Sequence, residues 1–392
     1  MSTGTPEPDS ASESKFESKP APESSSNSEP KPNFAGLQVV HSANFPFILK
    51  ELGISLFVTN YESGAFIILR ADGDMLNTHL RVFDKPMGMC FAGDGQRLAI
   101  GTRMQLWQYH NVPTATPKLD PPDKHDACFL PIRSHVTGAI DIHEMAWGPP
   151  PTGNDERELW FVNTKFSCLC TLHPRCSFVP RWRPSFVSEL APEDRCHLNG
   201  LALVDGQPRF VTALGATDTP AGWRPGKANG GVLMDVKLGK RIVNGLSMPH
   251  SPRWHRNKLY LLESGDGSIG VAEIGAGRYR KIAEVPGFTR GLDFVGQYAF
   301  IGLSQVRESA MFSGIPITQR LEERSCGVWM INVDTGDTVA WVRFEHVFKE
   351  IFAVQVVPYR FPELINEDPI LISASYVVPE LALQDVPASM RG

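Results

Sequence analysis

Three histidines stand out because each lies at or near the start of a recurring short apolar segment. They are His143, His197 and His250. Imidazole is the usual general acid or base near neutral pH, and clustered imidazoles with one open side are typical ligands of catalytic zinc or iron. Arg290 begins another copy of the segment, and its guanidinium suits a carboxylate or phosphate. All four residues are predicted to be catalytic, and the three histidines are the candidate ligands of one divalent metal, zinc or iron.

Two other interpretations of these histidines stay open. A histidine at the start of a strand often hydrogen-bonds the backbone of a neighbouring element, and a polar channel often holds only water. The histidines can also recognise a polar ligand without a metal. The sequence contains no nucleophile elbow, phosphate-binding loop, dinucleotide fingerprint or His-Glu-x-x-His motif. The common hydrolase, nucleotide-binding and metalloprotease motifs therefore give no guide to function.

A second group of polar residues is expected to reach the same site from turns and long loops. The predicted ligand-binding residues are Asn199, Asn60, Asn163, Glu263, Trp223, Arg224 and Arg307. The last three lie in two long insertions, 215–230 and 305–326, and the second insertion also contains Arg320. Long loops inside a compact domain are often lids or binding loops. The alternative is that both insertions are surface loops with solvated charges.

The elements that must position these residues are short β-strands. Runs rich in Val, Ile, Leu, Phe and Trp alternate with turns such as Glu62-Ser-Gly64 and Asp334-Thr-Gly336. One segment, in which small or apolar residues lead to a bulky apolar one, recurs along the chain. Its copies are 87–91, 143–147, 199–203, 250–254, 290–294 and 352–356. This repeat predicts an all-β fold, a six-bladed β-propeller in which each copy is the innermost strand of a blade.

The topology of a propeller explains why the polar residues should meet. The first strand of every blade begins on one face near the axis, and the turn between the second and third strands returns to that face. The first residues of the copies are Met87, His143, Asn199, His250, Arg290 and Phe352. We expect them to form a ring around the mouth of an axial funnel. Glu144 alternates away from His143 on its strand, so we expect it to contact another blade.

The predicted domains are a disordered tail (1–35), the propeller (36–378) and a C-terminal tail (379–392), the first being rich in Ser, Pro, Glu and Lys. The runs near 56–69 should complete the blade whose inner strand is 351–357. The run 370–374 leaves an added strand or a seventh blade as alternatives. Helical turns are expected only within 42–52 and around Lys349.

Composition and charge exclude several classes of protein. The chain has 392 residues, a net charge of −5 and no long basic block, which argues against nucleic-acid binding. No apolar run is long enough to cross a bilayer and the N-terminus does not read as a secretory signal, so we expect no membrane partner and a cytoplasmic location. The seven cysteines are expected to be free thiols. For the cluster Cys168, Cys170 and Cys176, small buried residues are favoured over a metal site.

Several long stretches resemble a known family. Among them are Ile142-His-Glu-Met-Ala-Trp147, Cys196-His-Leu-Asn-Gly-Leu-Ala202 and Met248-Pro-His-Ser-Pro-Arg-Trp-His255. From about residue 41 to 378 the chain resembles an uncharacterised bacterial family of conserved hypothetical proteins with a propeller-like domain, which implies the fold but no activity.

A more distant resemblance is to gluconolactonase-like six-bladed propellers, at the strand starts Asn199-Gly-Leu201 and Ser251-Pro-Arg-Trp254. It implies a calcium site made of carboxylates and amides. This chain instead has histidine and arginine where the acidic ligands would stand.

The functional prediction is a propeller that binds a small polar or anionic molecule in its axial funnel, with a metal-dependent hydrolase or lyase as the enzymatic form. The alternative is a non-enzymatic module that binds a peptide or protein partner on the same loop face. The sequence leaves open whether the protein is an enzyme.

Overall fold

The computed structural model describes residue 1 and residues 34–149, 157–306, 313–375, 383–384 and 386–390. By its internal contacts the chain divides into Met1–Asn33 and Phe34–Gly392, and the fold belongs to the second unit. Most of the predicted N-terminal tail and half of the predicted C-terminal tail lie outside the described residues.

The strands of the described residues form six sheets, which are the blades of a propeller. Three of them are formed mainly by the first half of the chain, and their strands are given in order from the axis outward. Blade 1 contains β25 (Ala353–Val357), β2 (Ser55–Asn60), β3 (Ala65–Asp72) and β4 (Met75–Val82). Blade 2 contains β5 (Met89–Phe91), β6 (Arg97–Gly101), β7 (Gln105–Asn111), β8 (Ala127–Val136) and β26 (Pro362–Leu364). Blade 3 contains β9 (Ile142–Trp147), β10 (Leu159–Asn163), β11 (Cys168–His173) and β12 (Cys176–Trp182).

The other three blades follow in chain order. Blade 4 contains β13 (Leu198–Val204), β14 (Gln207–Ala213), β15 (Gly231–Asp235) and β16 (Lys240–Leu246). Blade 5 contains β17 (Pro249–His255), β18 (Lys258–Glu263), β19 (Ser268–Glu273) and β20 (Arg278–Glu284). Blade 6 contains β21 (Phe288–Val295), β22 (Tyr298–Ser304), β23 (Gly327–Asn332), β24 (Thr338–Glu345) and β1 (Gln38–His41).

The six-bladed propeller predicted from the repeat is therefore confirmed. Each copy of the recurring segment overlaps the innermost strand of a blade. The small residues of the segment are required by crowding near the axis: a Cβ on Gly200 would collide with Thr212 Oγ1 and with Pro252 of the next blade. The predicted closure is confirmed as well, because β25 pairs antiparallel with β2 and so joins the two ends of the propeller in one blade.

The helices correct several details of the prediction. They are α1 (Phe45–Leu52), α2 (Pro316–Arg320) and α3 (Pro369–Ser375), with 3-10 turns at Pro113–Lys118, Arg224–Gly226, Ile274–Ala276 and Ala388–Met390. The helical turn expected within 42–52 is confirmed as α1, but the one expected around Lys349 is wrong because that segment is irregular. The expectation that helical turns occur only in these two places is wrong as well, because α2 lies in the long insertion 305–326 and α3 near the end of the chain. The run 370–374 is part of α3, so both alternatives for it, a seventh blade and an added strand, are wrong. The strand that blade 2 gains is β26, a segment that was not singled out from the sequence, and it pairs in parallel with β8.

Apolar side chains fill the spaces between neighbouring blades. Between blades 1 and 2, for example, Phe57, Phe66 and Phe129 are fully buried, and burying each such ring stabilises the fold by about 1.5–3 kcal/mol. Among the described residues no helix has the length and apolar character needed to span a membrane.

An ion pair crosses the axis below the ring of inner-strand starts. Arg253 of β17 donates from Nη1 and Nη2 to the two carboxylate oxygens of Glu144 on β9, at 3.0 and 2.9 Å. Blades 3 and 5 are not neighbours, so these side chains meet across the channel rather than along a blade interface. The expected contact of Glu144 with another blade is confirmed, and it bridges the axial channel at that level.

Candidate functional site

The ring of inner-strand starts opens into a cavity of about 440 Å³. Five of the predicted ring residues line it, namely Met87, His143, His250, Arg290 and Phe352. Blade 4 contributes His197 instead of Asn199. The structure thus brings together all four residues that were predicted to be catalytic.

The imidazole of His143 is fixed by two partners on its Nδ1 side. Nδ1 lies 3.0 Å from the carbonyl oxygen of Asp141 and 2.8 Å from Thr164 Oγ1. The Thr164 hydroxyl donates to the carbonyl of Leu198, the first residue of the next inner strand. A carbonyl can only accept, so Nδ1 must carry the proton and Nε2 is the nitrogen with a free lone pair.

His250 repeats this arrangement two blades further on. Its Nδ1 lies 2.9 Å from the carbonyl oxygen of Met248 and 2.9 Å from Ser264 Oγ. Burial first, and then the positive charge of Arg290, lower the pKa of His143 and of His250 well below the ordinary value. Both rings are therefore neutral at physiological pH and present Nε2 as a hydrogen-bond acceptor.

His197 is held by a carboxylate rather than by a carbonyl. Its Nδ1 lies 3.0 Å from each oxygen of Asp194. Trp223 Nε1 donates to Oδ2 of the same carboxylate at 3.0 Å, and the Trp223 ring packs on His197 with centroids 4.7 Å apart. The rings of His143 and His197 meet edge to face at 4.8 Å. A base held by a carboxylate in this way is the arrangement found in acid–base catalysis.

The three histidines therefore share one orientation, with Nδ1 bound to a fixed acceptor. All three rings line the cavity, and none of their Nε2 atoms makes a hydrogen bond within the part of the chain that the structure describes. Adjacent blades 3, 4 and 5 thus present three acceptor nitrogens along one side of the cavity.

The opposite side of the cavity carries charge. Arg290 Nη1 donates to Glu350 Oε1 at 2.8 Å, and its guanidinium carbon lies 3.8 Å from the centroid of the Phe352 ring. Burial raises the pKa of Glu350 despite this cation, and the nearby Glu62 adds to the increase. Apolar side chains complete the wall, including Met87, Leu214, Met248, Phe288 and Val306.

Asn199 is the ring position that does not reach the cavity. Its Nδ2 donates to the carbonyl of Pro249, and its Oδ1 accepts from Thr212 Oγ1. Both bonds are buried; the first holds blade 4 to blade 5, and the second joins β13 to β14 within blade 4. His197, two residues earlier, has a left-handed backbone (φ 51°) like Asp141 and Met248 at the equivalent places, and all three line the cavity.

The polar turn residues Asn60, Asn163 and Glu263 lie on the expected face but do not line the cavity. Two of them close their own turns: Asn60 Oδ1 accepts from the Ser63 amide, and Asn163 Oδ1 accepts from the Phe166 amide. Glu263 Oε1 instead accepts from the amide of Ser247, in the link that leads to β17. The residues next to two of them, Thr164 and Ser264, are the ones that contact the histidines.

The two insertions differ in what they bring to the site. From 215–230, Trp223 lines the cavity and is 2% exposed, whereas Arg224 is exposed and does not line it. From 305–326, Gln305 and Val306 line the cavity. Arg307 lies outside the described residues, and Arg320 instead donates to the carbonyl of Asp266.

Sequence reasoning missed Asp194 and Glu350, the two carboxylates that contact predicted site residues. Asp194 could have been found from its spacing three residues before His197, and Glu350 from its place in the link that leads to the last inner strand. Neither carries a motif, and both contacts depend on the path of an irregular segment.

A protein metal site needs several ligating side chains close together. In the described part of the chain, no three His, Cys, Asp or Glu side chains come together closely enough to hold a metal ion. Cys168 and Cys170 are buried as expected, with their sulfur atoms 3.5 Å apart. The expectation of a buried residue is wrong for Cys176, which is exposed because it begins β12, the outermost strand of blade 3.

Comparison with known proteins gives a family and distant structures. A family model described as a domain of unknown function, DUF4915, matches residues 43–365. No curated protein sequence matches the chain significantly.

Three solved structures have similar folds at low identity. A nidogen/laminin complex matches with 8% identity and a TM-score of 0.46, covering 78% of this chain and 98% of that one. The computationally designed Ika8 protein matches with 11% identity and a TM-score of 0.38, covering 77% and 87%. A catalytically inactive virginiamycin B lyase from Staphylococcus aureus with quinupristin matches with 10% identity and a TM-score of 0.38, covering 78% and 99%. Similarity at this level assigns no ligand.

Proposed function

Since the chain belongs to the DUF4915 family, whose function is unknown, we propose a function from the site itself: the protein binds a small polar molecule in the axial cavity, and His197 acts on that molecule as a general base. The observation that carries the proposal is the shared orientation of three histidines. Three blades each turn the Nδ1 side of an imidazole to a fixed acceptor and leave Nε2 at the wall of one cavity.

The binding part of the proposal follows from complementarity. Neutral His143 and His250 accept hydrogen bonds from hydroxyl or N–H groups of the ligand. Arg290 offers donors on the other side of the cavity, and Trp223, Phe288 and the methionines cover apolar parts of the molecule. A mostly apolar pocket with a few placed polar groups is typical of small-molecule sites.

The catalytic part assigns different roles to the three imidazoles. Asp194 orients His197 and stabilises the imidazolium that forms when Nε2 takes a proton from the ligand or from a water molecule. His143 and His250 have no carboxylate on Nδ1, so they serve to hold the substrate. Proton removal of this kind is a step of both hydrolase and lyase reactions, and the proposal covers these two reaction classes.

A metal-dependent form of the site is a second candidate, and the Asp194–His197 pair favours it. Histidines that bind a metal through Nε2 commonly donate Nδ1–H to a carboxylate or carbonyl, as all three do here. Metal binding would require the three rings to rearrange, since no three such side chains are placed to hold a metal in the described part of the chain. Elemental analysis of the purified protein distinguishes the two forms: about one zinc or iron per chain supports the metal form, and a metal-free protein with an unchanged Tm in chelator contradicts it.

The proposed function can be tested although the substrate is unidentified. The variant His197→Asn keeps a donor near Asp194, because the Asn amide nitrogen takes the place of Nδ1, but it removes Nε2. The matched control is His135→Asn, on β8 of blade 2, where the ring bonds the carbonyl of Ser177 on blade 3 at the exposed surface, away from the cavity. Wild type, variant and control are each incubated with a small-metabolite extract and followed by mass spectrometry.

We expect at least one metabolite to be consumed by wild type and control and left intact by His197→Asn. Equal consumption by all three proteins would contradict the role of His197. If no metabolite is consumed, binding of small fragments is measured by NMR for the same three proteins. A His197→Asn protein that binds them as wild type does would contradict the site.

A further inference from the structure

The guanidinium of Arg290 is only partly used within the described residues. Its side chain is 15% exposed, one face packs on Phe352, and Nη1 makes a single hydrogen bond to Glu350. Arginine has five N–H donors in a planar fork that matches both oxygens of a carboxylate. One oxygen of Glu350 therefore occupies a fork that can bind two.

Within the described residues, the side chain of Glu350 is attached to the site by this single contact. Its backbone is held, since the carbonyl of Glu350 accepts from Asn60 Nδ2 and the carbonyl of Lys349 accepts from the Gln305 amide. Its side chain is 28% exposed and has three rotatable bonds. The carboxylate can therefore swing away from Arg290 without movement of the chain.

We propose that Glu350 occupies the place of a ligand carboxylate, and that the molecule bound in the cavity is a small monocarboxylic acid that displaces Glu350 from Arg290. The inference rests on the proposed function, because it names the class of molecule that the same cavity binds. Glu350 then acts as a built-in competitor for the anion site.

The charges of the cavity wall favour one negative charge over two. Among the lining residues that the structure describes, Glu62, Asp141 and Glu350 are acidic while Arg290 and Lys349 are basic. A phosphate dianion would bring two negative charges to a wall that already has three carboxylates and two cations. A carboxylate brings one negative charge, which replaces at Arg290 the charge of the displaced Glu350. At the other end of the molecule, the Nε2 atoms of the histidines accept from a hydroxyl or amino group. The ligand class is therefore a hydroxylated or aminated monocarboxylic acid.

Displacement of Glu350 has a consequence for protons. A displaced Glu350 loses its cation and stays in a partly buried place near Glu62, so it tends to take up a proton. Binding of the acid should then tighten as pH falls from about 8 to 6. His143, His197, His250, Glu62, Asp141 and Lys349 also face the cavity, so the pH dependence due to Glu350 is the difference between wild type and a variant that lacks only that carboxylate.

The test uses matched pairs of small carboxylic acids and their primary amides as probes, with binding to the full chain measured by NMR. The variant Glu350→Gln removes the competitor and keeps the side-chain size. The control is Glu345→Gln, which removes another carboxylate paired with an arginine, Arg343, outside the cavity. Arg290→Lys keeps the charge but loses the planar fork.

We expect acids to bind and the matched amides to bind at least about tenfold more weakly. Glu350→Gln should bind the acids about three- to tenfold more tightly than wild type at pH 8, and its affinity should depend less on pH. Glu345→Gln should bind the acids as wild type does. Arg290→Lys should lose about tenfold in affinity for the acids. Amides that bind as well as acids would overturn the ligand class while leaving the cavity as a binding site. Acids that bind Glu350→Gln no more tightly than wild type would overturn the competitor role. Failure of every probe to bind in the cavity would contradict the proposed function itself and the inference with it.

Discussion

Removing the titration of two cavity histidines should make the protein more resistant to acid. His143 and His250 are 9% and 4% exposed, and burial lowers the pKa of both rings well below the ordinary value. In the unfolded chain a histidine takes up a proton near pH 6.5. Below that pH the two histidines bind protons in the unfolded state but not in the folded state, so the free energy of unfolding decreases as pH falls.

The size of the effect follows from linkage. Each neutral buried histidine costs about 1.4 kcal/mol of stability per pH unit between the unfolded and the folded pKa. The pair therefore costs about 3 kcal/mol for each unit below pH 6.5, a large share of a total that is typically about 5–15 kcal/mol. Buried carboxylates such as Glu144 and Asp293, whose pKa burial raises, act in the opposite direction, so the effect must be read as a difference between two proteins.

The second protein is the double variant His143→Asn/His250→Asn. Asparagine keeps a donor near the acceptors of each Nδ1 and does not titrate, while all other groups are unchanged. Urea unfolding of both proteins at several pH values between about 7.5 and 5 gives the two stability curves. We expect the wild type to lose stability relative to the variant by up to about 3 kcal/mol per pH unit below pH 6.5. A constant difference across this range would show that the two imidazoles titrate normally in the fold and would refute the reasoning.

Three further outcomes can be measured on purified variants. Asp194→Asn places an amide where the carboxylate accepts from both His197 and Trp223. It should lower the free energy of unfolding by about 1–3 kcal/mol and abolish turnover of any metabolite that the wild type consumes. Unchanged turnover would contradict the role of the carboxylate. Glu144→Ala should cost about 3–5 kcal/mol in urea unfolding because Arg253 loses its partner at the axis, and Arg253→Met added to it should recover part of that loss. Gly200→Ala should cost about 1–3 kcal/mol by crowding the inner strands, so a neutral result would contradict the packing at the axis.

The repeat was readable from the sequence because the blade is a local unit. Alternating apolar runs and turn residues determine each hairpin within about 40–60 residues, and crowding at the axis favours small residues such as Gly88 and Gly200 in five of the six copies, Glu144 being the exception. The chain end was misread for a related reason. The run 370–374 is as apolar as a strand, but it has no free inner-blade position to occupy and forms a helix beside the 3-10 turn at 113–118.

Part of the site was predictable and part was not. His143, His250 and Arg290 could be placed in one ring because equivalent positions of equivalent blades must share a height on the axis. The role of Asn199 could not, since its short side chain can reach either the cavity or the next blade, and the hydroxyl of Thr212 settles the choice. The turn residues were placed on the correct face, but which side chain of a turn points inward depends on the hydrogen bonds that close that turn.

The sequence by itself therefore determined the all-β repeat, the six inner strands, the closure between the two ends of the chain and the set of histidines at the axis. All of these follow from interactions between residues that are near in sequence or equivalent in the repeat. Only the tertiary structure decided the Asp194–His197 contact, the Arg290–Glu350 pair and the Glu144–Arg253 bridge. The first contact depends on the path of the irregular segment before β13, and the other two join elements that are far apart in the sequence, whose distances are set only when the ring closes.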